Sequence, residues 1–543
     1  MMKKAIALIL ALWVAECWSM GYKPKHVAAD SAWLVEIQHR MEKVDTMFAA
    51  ATWEYYQGGY YAGDLERASK EYQILVYTKY NIDRLKRIQG LFKDPVLDRA
   101  ARLAYIKYLT DWCYYGTDIG DAQMSLIKTF IEFRAHFEGQ DRTDIYLRRI
   151  LHGDPGRERR EMAWHARISI CEKIAKNLKM LVQDRNRMAR YRDFDNFVEF
   201  QLNSIGLTQD GLLKLLDGLN LASRDKYLEI YMHKKNRLNL DKLQIWDILY
   251  QPDLLEFDSA FKKNEVVPTM YNAFGALGFN LDKTNILLEI EPRSYKLQSG
   301  LCMAIQVPND MRISAQIVDG FSSYRVLFHE YGHALHNSFI NRDHYIMRVR
   351  TDGVICESMA SICEELLYRP HWLNKYMKFS EKEISVLVPK LKESRIIELR
   401  IALAYTYFEM ELYRTNAENP DKLFWDIMER VLFCGRQDGS EAWASVHHFT
   451  DSPVYYQNYI LGDLIAAQTM QHIRKLNGSI IDNPATAEYL INRCYKYGAL
   501  YNWFDLVELA TGEKLDTKYY LEDILNYDND IEIEEVNTAK GGQ

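Results

Sequence analysis

The stretch Val326-Leu327-Phe328-His329-Glu330-Tyr331-Gly332-His333-Ala334-Leu335-His336-Asn337-Ser338-Phe339 contains H-E-x-x-H from His329 to His333. On a helix, residues four apart face the same way, so both imidazoles can reach one ion. Zinc accepts neutral imidazole nitrogens and in catalytic sites keeps one position open for water. Glu330 directly follows the first imidazole, where its carboxylate can reach that water and take its proton. The pattern predicts a zinc peptidase with one Zn2+ per chain, and two histidines leave a third ligand to be found.

A histidine six residues after His333 would complete one arrangement, but Phe339 stands there. His336 lies about two turns, roughly 10 Å, from His329 on the same helix, which suits packing better than ligation. The better source is the run Asp352-Gly353-Val354-Ile355-Cys356-Glu357-Ser358-Met359-Ala360-Ser361-Ile362-Cys363-Glu364-Glu365, with Thr351 or Asp352 as cap and Pro370 as limit. Glu357 comes 24 residues after His333, enough for one helix to end and a second to return. A carboxylate on an apolar helix is costly to bury unless paired or metal-bound, so Glu357 reads as the third ligand. Ser361 and Glu364 fall near the same face, as candidates to hydrogen-bond and orient the ligands, while Glu365 reads as solvated.

Ahead of the motif, Cys302–Val307 and Arg312–Val318 are bounded by Gly300, Pro308-Asn309-Asp310 and Asp319-Gly320 and predict strands of a small sheet. Ser322-Ser323 offers an N-cap for the motif helix. A strand beside that helix can hold an extended peptide by backbone pairing. Behind the motif, the segment Val446–Tyr459 holds His447, His448, Tyr455, Tyr456 and Tyr459, whose N–H and O–H groups are candidate oxyanion donors. With 37 tyrosines in the chain, any one of them alone is more often packing, so the signal is the segment.

H-E-Y-G-H-A-L-H followed by E-S-M-A-S-I-C-E-E resembles the zinc metallopeptidase family of thimet oligopeptidase and oligoendopeptidase F. The resemblance implies a mainly α gluzincin: a large helical body with a deep substrate cleft and a small β-sheet beside the zinc helix. It also implies Glu357 as third ligand, with Glu364 seven residues on. The segments Pro292–Ile317 and Leu238–Asp247 are similar to family segments, the former to its active-site edge strand. His448, Pro453, Tyr455, Tyr456 and Tyr459 match the oligoendopeptidase pattern H-x-x-x-x-P-F-Y-Y-x-x-Y, with Val454 in place of Phe. By that match His448 and Tyr459 contact the carbonyl or its oxyanion, Tyr456 and Tyr455 bind substrate, and His447 is the rival to His448. Angiotensin-converting enzymes are more distantly similar. Where they carry a lysine that clamps the peptide's C-terminal carboxylate, this chain has Ser445 and Val446, which favours internal cleavage over release of C-terminal dipeptides. An inactive exported binding protein is disfavoured because Glu330 is intact.

The rest of the chain fits a large helical body. Only 12 Pro and 27 Gly in 543 residues favour long helices, and helical spacing of apolar residues runs over 31–56, 64–90, 122–137 and 160–190. Arg157–Glu161 is basic but interrupted by Glu158 and Glu161, and reads as a solvated helix start. A net charge of −7 with no basic stripe excludes nucleic acid as a partner. Short peptides are the expected partners, and a monomer or weak dimer the expected state. Lys3, Lys4 and the apolar run Ala5–Ala15 predict an export signal over 1–19 and a periplasmic or secreted protein. Lipoprotein anchoring through Cys17 is disfavoured by Glu16, and no later segment has the apolarity of a membrane span. The remaining division is 20–237 as the cleft wall, 238–526 as the catalytic region and 527–543 as an acidic, polar tail. The cysteines after the leader lack a repeated spacing and predict single thiols.

Overall fold

The computed structural model describes residues 24–526, apart from 60–61, 77, 116 and 294–295. The expected leader with Cys17 and the expected tail lie outside the described residues. The architecture is mainly α, with two small sheets. No helix among the described residues is long and apolar enough to cross a membrane. The described cysteines Cys171, Cys302, Cys356, Cys363, Cys434 and Cys494 are all free.

Several long helical readings break where local chemistry allows. The 122–137 stretch stops at Glu132, and β1 (Ala135–Phe137) pairs with β2 (Gln140–Arg142) in a hairpin. Its two-residue turn, Glu138-Gly139, has positive φ at both positions, the twist that matches antiparallel strands. The 64–90 stretch divides into Ala62–Val76 and Lys79–Ile88, and 160–190 into Arg157–Ile168 and Cys171–Tyr191. Arg160 is not solvated: it is fully buried and donates to Asp247 at 3.2 Å, with Arg157 on the other oxygen at 3.0 Å. A buried guanidinium needs such a partner, and this one lies 87 residues away.

The second sheet has the order β3-β5-β4, with β3 (Ile286–Glu289) parallel to β5 (Asp310–Ser314) and β4 (Leu301–Gln306) antiparallel to it. Both predicted strands are present: β4 starts one residue earlier at the expected length, β5 starts earlier and is shorter than expected, and β3 is an addition. Among the described residues one edge of β4 carries no strand partner, and β4 lies against the motif helix, Phe321–Ser338.

One large core takes residues from Ile119 to Ile524, including fully buried Trp246, Trp372, Trp425, Trp443 and Trp503. A smaller core joins Leu34, Ile37, Leu85, Ala101 and Tyr108 of the first helices to Tyr345, Ile346 and Met347, just beyond the motif helix. Lys107, held between Asp45 at 3.2 Å and Asp111 at 2.7 Å, pins these helices together.

The site rests on three helices: the motif helix, a second helix Gly353–Glu364, and the helix Tyr456–Asn477. Glycines let them approach closely. A Cβ on Gly332 would stand 2.8 Å from the Ala360 Cα, and one on Gly462 would stand 2.8 Å from the Glu357 Cβ. For Gly462→Ala, helix propensity gains about 1 kcal/mol, while overpacking a fixed backbone costs about 1–3 kcal/mol. The obstructing atoms are Glu357 and the backbone at Ser358, not a flexible side-chain end. Gly462→Ala should therefore lower the thermal midpoint and weaken zinc binding together, as read by calorimetry and zinc titration.

Candidate active site

The motif helix does not use Ser322-Ser323 as its cap. It starts after Gly320, at φ +128°, and Phe321 N–H donates to Asp258 Oδ1 at 2.8 Å. Any Cβ at 320 would press on that carboxylate, so glycine and a distant Asp replace the local serine cap. Ser323 Oγ instead accepts from Val318 N–H at 2.9 Å. The second helix begins after Asp352, as the sequence predicts, without a side-chain cap bond.

From these two helices His329, His333 and Glu357 converge, their ligand atoms all within 4.8 Å of one another. His329 Nε2 lies 3.2 Å and His333 Nε2 3.8 Å from Glu357 Oε2. Ligands about 2.0–2.2 Å from a tetrahedral zinc stand about 3.3–3.6 Å apart, so the set fits that ion. Glu357 is 3% exposed, yet its Oε2 has no hydrogen-bond partner, which a cation at this point would supply. Its Oε1 accepts from the Tyr455 hydroxyl at 2.6 Å.

Tautomer control is also built in. His329 Nδ1 bonds Glu364 Oε2 at 2.9 Å, leaving the Nε2 lone pair toward the cluster. Glu364 is itself held by Arg325 Nε at 2.6 Å and the Tyr368 hydroxyl at 2.9 Å. Burial opposes charge on His329, but the two flanking carboxylates outweigh it and raise its pKa well above the ordinary value. The site thus favours a positive charge beside this ring, from a proton or a metal ion. Burial pushes His333 down to about 4, the neutral form that ligates.

Glu330 faces β4 near Cys302; burial pushes it up to about 7 against the opposing pull of the His329 ring. A Cβ on Gly300 would stand 2.8 Å from Glu330 Oε1, so the chain entering β4 must carry no side chain here. In the donor segment His448 Nε2 lies 3.1 Å from the Tyr459 hydroxyl, and Tyr456 OH approaches His448 Nδ1 at 3.5 Å. The His447 ring lies 4.1 Å from the His448 ring and meets Phe130 edge-on at 6.3 Å. Burial, then the neighbouring His447, pushes His448 down to about 3, so the ring is neutral.

Three expected positions change, and His336 does not. Tyr455 is bonded to Glu357 and so steadies that side chain. Ser361 bonds Asp463 Oδ1 at 2.8 Å and does not touch the cluster. Glu365 is 4% exposed, bonded to Arg369 at 2.8 Å and paired with Arg395, so it is a buried ion-pair member. His336 packs against Tyr495 and is 1% exposed, consistent with a non-ligand. Sequence reading missed the anchors of the donor segment. Buried Arg185 donates to the carbonyls of Phe449 at 2.9 Å and Thr450 at 2.6 Å, and Glu409 accepts Val454 N–H at 2.8 Å. Val454 is left-handed at φ +57°, a costly conformation for a β-branched residue that the Glu409 bond helps to hold.

The model of peptidase family M3 matches residues 150–274, a stretch that lies ahead of the motif helix. Thermostable carboxypeptidase 1 of Pyrococcus furiosus is 22% identical over 358 residues, 58% of this chain and 67% of that protein. Among solved structures, PZ peptidase A with inhibitor 2 superposes with a TM-score of 0.61 over 92% of this chain and 97% of that one, at 15% identity. A structure described as CHT gives 0.63 over 92% and 99%, also at 15% identity. The mainly α fold is the one these structures share. The chain is similar to the M3 metallopeptidases, as the motifs imply, and the family match extends that similarity back to residue 150.

Proposed function

We propose that this chain is a zinc-dependent oligoendopeptidase, hydrolysing internal bonds of short peptides. The observation that carries the reading is the convergence of His329, His333 and the buried Glu357 carboxylate on one point, with Glu330 alongside. Those three residues would hold Zn2+. When bound, the ion supplies Lewis acidity toward the scissile carbonyl and makes water a competent nucleophile at neutral pH. Glu330 takes the proton of the attacking water and gives it to the leaving amine. His448 and Tyr459, 3.1 Å apart, donate to the carbonyl oxygen as negative charge develops on it. Tyr456 contacts substrate, and the open edge of β4 pairs with its extended backbone. The helices before residue 238 wall the cleft, and the leader reading places the enzyme outside the cytoplasm.

Release of C-terminal residues is the second reading, favoured by the name of the Pyrococcus furiosus relative, a carboxypeptidase. Mass spectrometry of products from peptides with free and blocked C-termini separates the two. Internal cuts in both sets support the endopeptidase. Products confined to C-terminal residues, from free peptides alone, would overturn it.

A further inference from the structure

Asp144 opens the helix Asp144–Gly153 and takes two guanidiniums at once. Arg148, one turn on, donates its Nε–H to Oδ2 at 2.6 Å, and Arg167 of the next helix donates its Nε–H to Oδ1 at 2.6 Å. Among the described residues neither arginine has a hydrogen-bond partner at its Nη atoms. The two side chains are 52% and 19% exposed, so Arg148 is open to solvent and Arg167 backs it from a largely buried position. Two cations against one carboxylate leave the cluster positive. A lone Asp–Arg pair one helical turn apart would be an ordinary surface ion pair worth little. The second arginine and the location distinguish this one.

Asp144 N–H donates to Gln298 Oε1 at 2.8 Å, two residues before the Gly300 that abuts Glu330. The cluster also neighbours His447, whose ring lies tilted against that of His448 at 4.1 Å. The charges of Arg148, Asp144 and Arg167 all act on His447, and Arg148 acts on His448 and Tyr456 as well. The cluster therefore lies between the chain entering β4 and the donor segment.

We propose that Arg148 and Arg167, oriented by Asp144, form a subsite for a carboxylate of the peptide substrate, supplied by its free C-terminus or by an acidic side chain. The inference rests on the peptidase reading above. A planar fork with two free amino groups matches a carboxylate bidentately, which a lysine cannot do. It puts the anchoring charge on the N-terminal helices, where 445–446 carry none.

The test compares kcat/KM for one peptide sequence as free acid, as C-terminal amide, and as amides with Glu replacing Gln at successive positions. Wild type should prefer the acid over the amide, or one Glu-amide over its Gln form, by roughly tenfold to a hundredfold. In Arg148→Gln that ratio should fall toward one, mainly through KM. Arg148→Lys, a charge without a fork, should fall between, and it carries the test if the Gln variant unfolds. Preference for the acid identifies the terminus as the source, and preference for a Glu position identifies a side chain. Equal rates on all peptides in wild type, or a preference that Arg148→Gln leaves intact, overturn the subsite. Failure of the peptidase reading looks different: zinc-loaded wild type would cleave none of the peptides.

Discussion

Glu330→Gln should leave zinc bound and lower kcat by roughly 10²- to 10⁴-fold, the range spanned by a positioned general base. The amide matches the carboxylate in size, so the tight approach of Gly300 and Val326 is preserved. Glu330 is outside the His329, His333 and Glu357 trio, so metal affinity should change little. What the amide cannot do is accept a proton from water and return it to the departing amine. Steady-state kinetics with metal analysis on the same sample reads both halves. A variant that stays fully active would remove Glu330 from the reaction.

Glu357→Ala should act on a different quantity, the metal itself. The change deletes one of the three proposed ligands and leaves the Tyr455 hydroxyl without its 2.6 Å acceptor. The loss of zinc affinity should exceed the roughly 10–100-fold typical of outer-shell changes, and activity at limiting zinc should vanish. Glu364→Ala is the internal control. It frees His329 Nδ1 but removes no ligand, so it should fall inside that 10–100-fold range. Zinc affinities by competition with a chelating dye give the order wild type, Glu364→Ala, Glu357→Ala. Equal affinity for wild type and Glu357→Ala would show that the ion, if any, binds elsewhere.

What could be read from the sequence was local in the chain. The spacing of His329 and His333 fixes one helix face, and the apolar neighbours of Glu357 mark a carboxylate with a reason to be buried. The strands at β4 and β5 announce themselves through Gly300 and Pro308-Asn309-Asp310. What was not legible depends on partners far away in sequence. Arg160 looks solvated until Asp247 is beside it, and Glu365 looks solvated until Arg369 and Arg395 close over it. Tyr455 reads as a substrate contact because nothing local reveals its bond to Glu357, 98 residues away. The serine cap failed for a related reason: Asp258, 63 residues from Phe321, takes the helix N-terminus instead. Which of His447 and His448 reaches a tyrosine hydroxyl needed the third dimension, since the two adjacent rings lie 4.1 Å apart and meet different neighbours. One ring meets Phe130, and the other meets Tyr459.

The most direct measurement is peptide hydrolysis by the purified chain before chelation, after removal of metal, and after stepwise return of zinc. The account predicts that chelation abolishes cleavage and that activity returns in proportion to zinc, reaching a plateau at one ion per chain. Cleavage that persists in the metal-free protein, or no cleavage at that plateau, would contradict it.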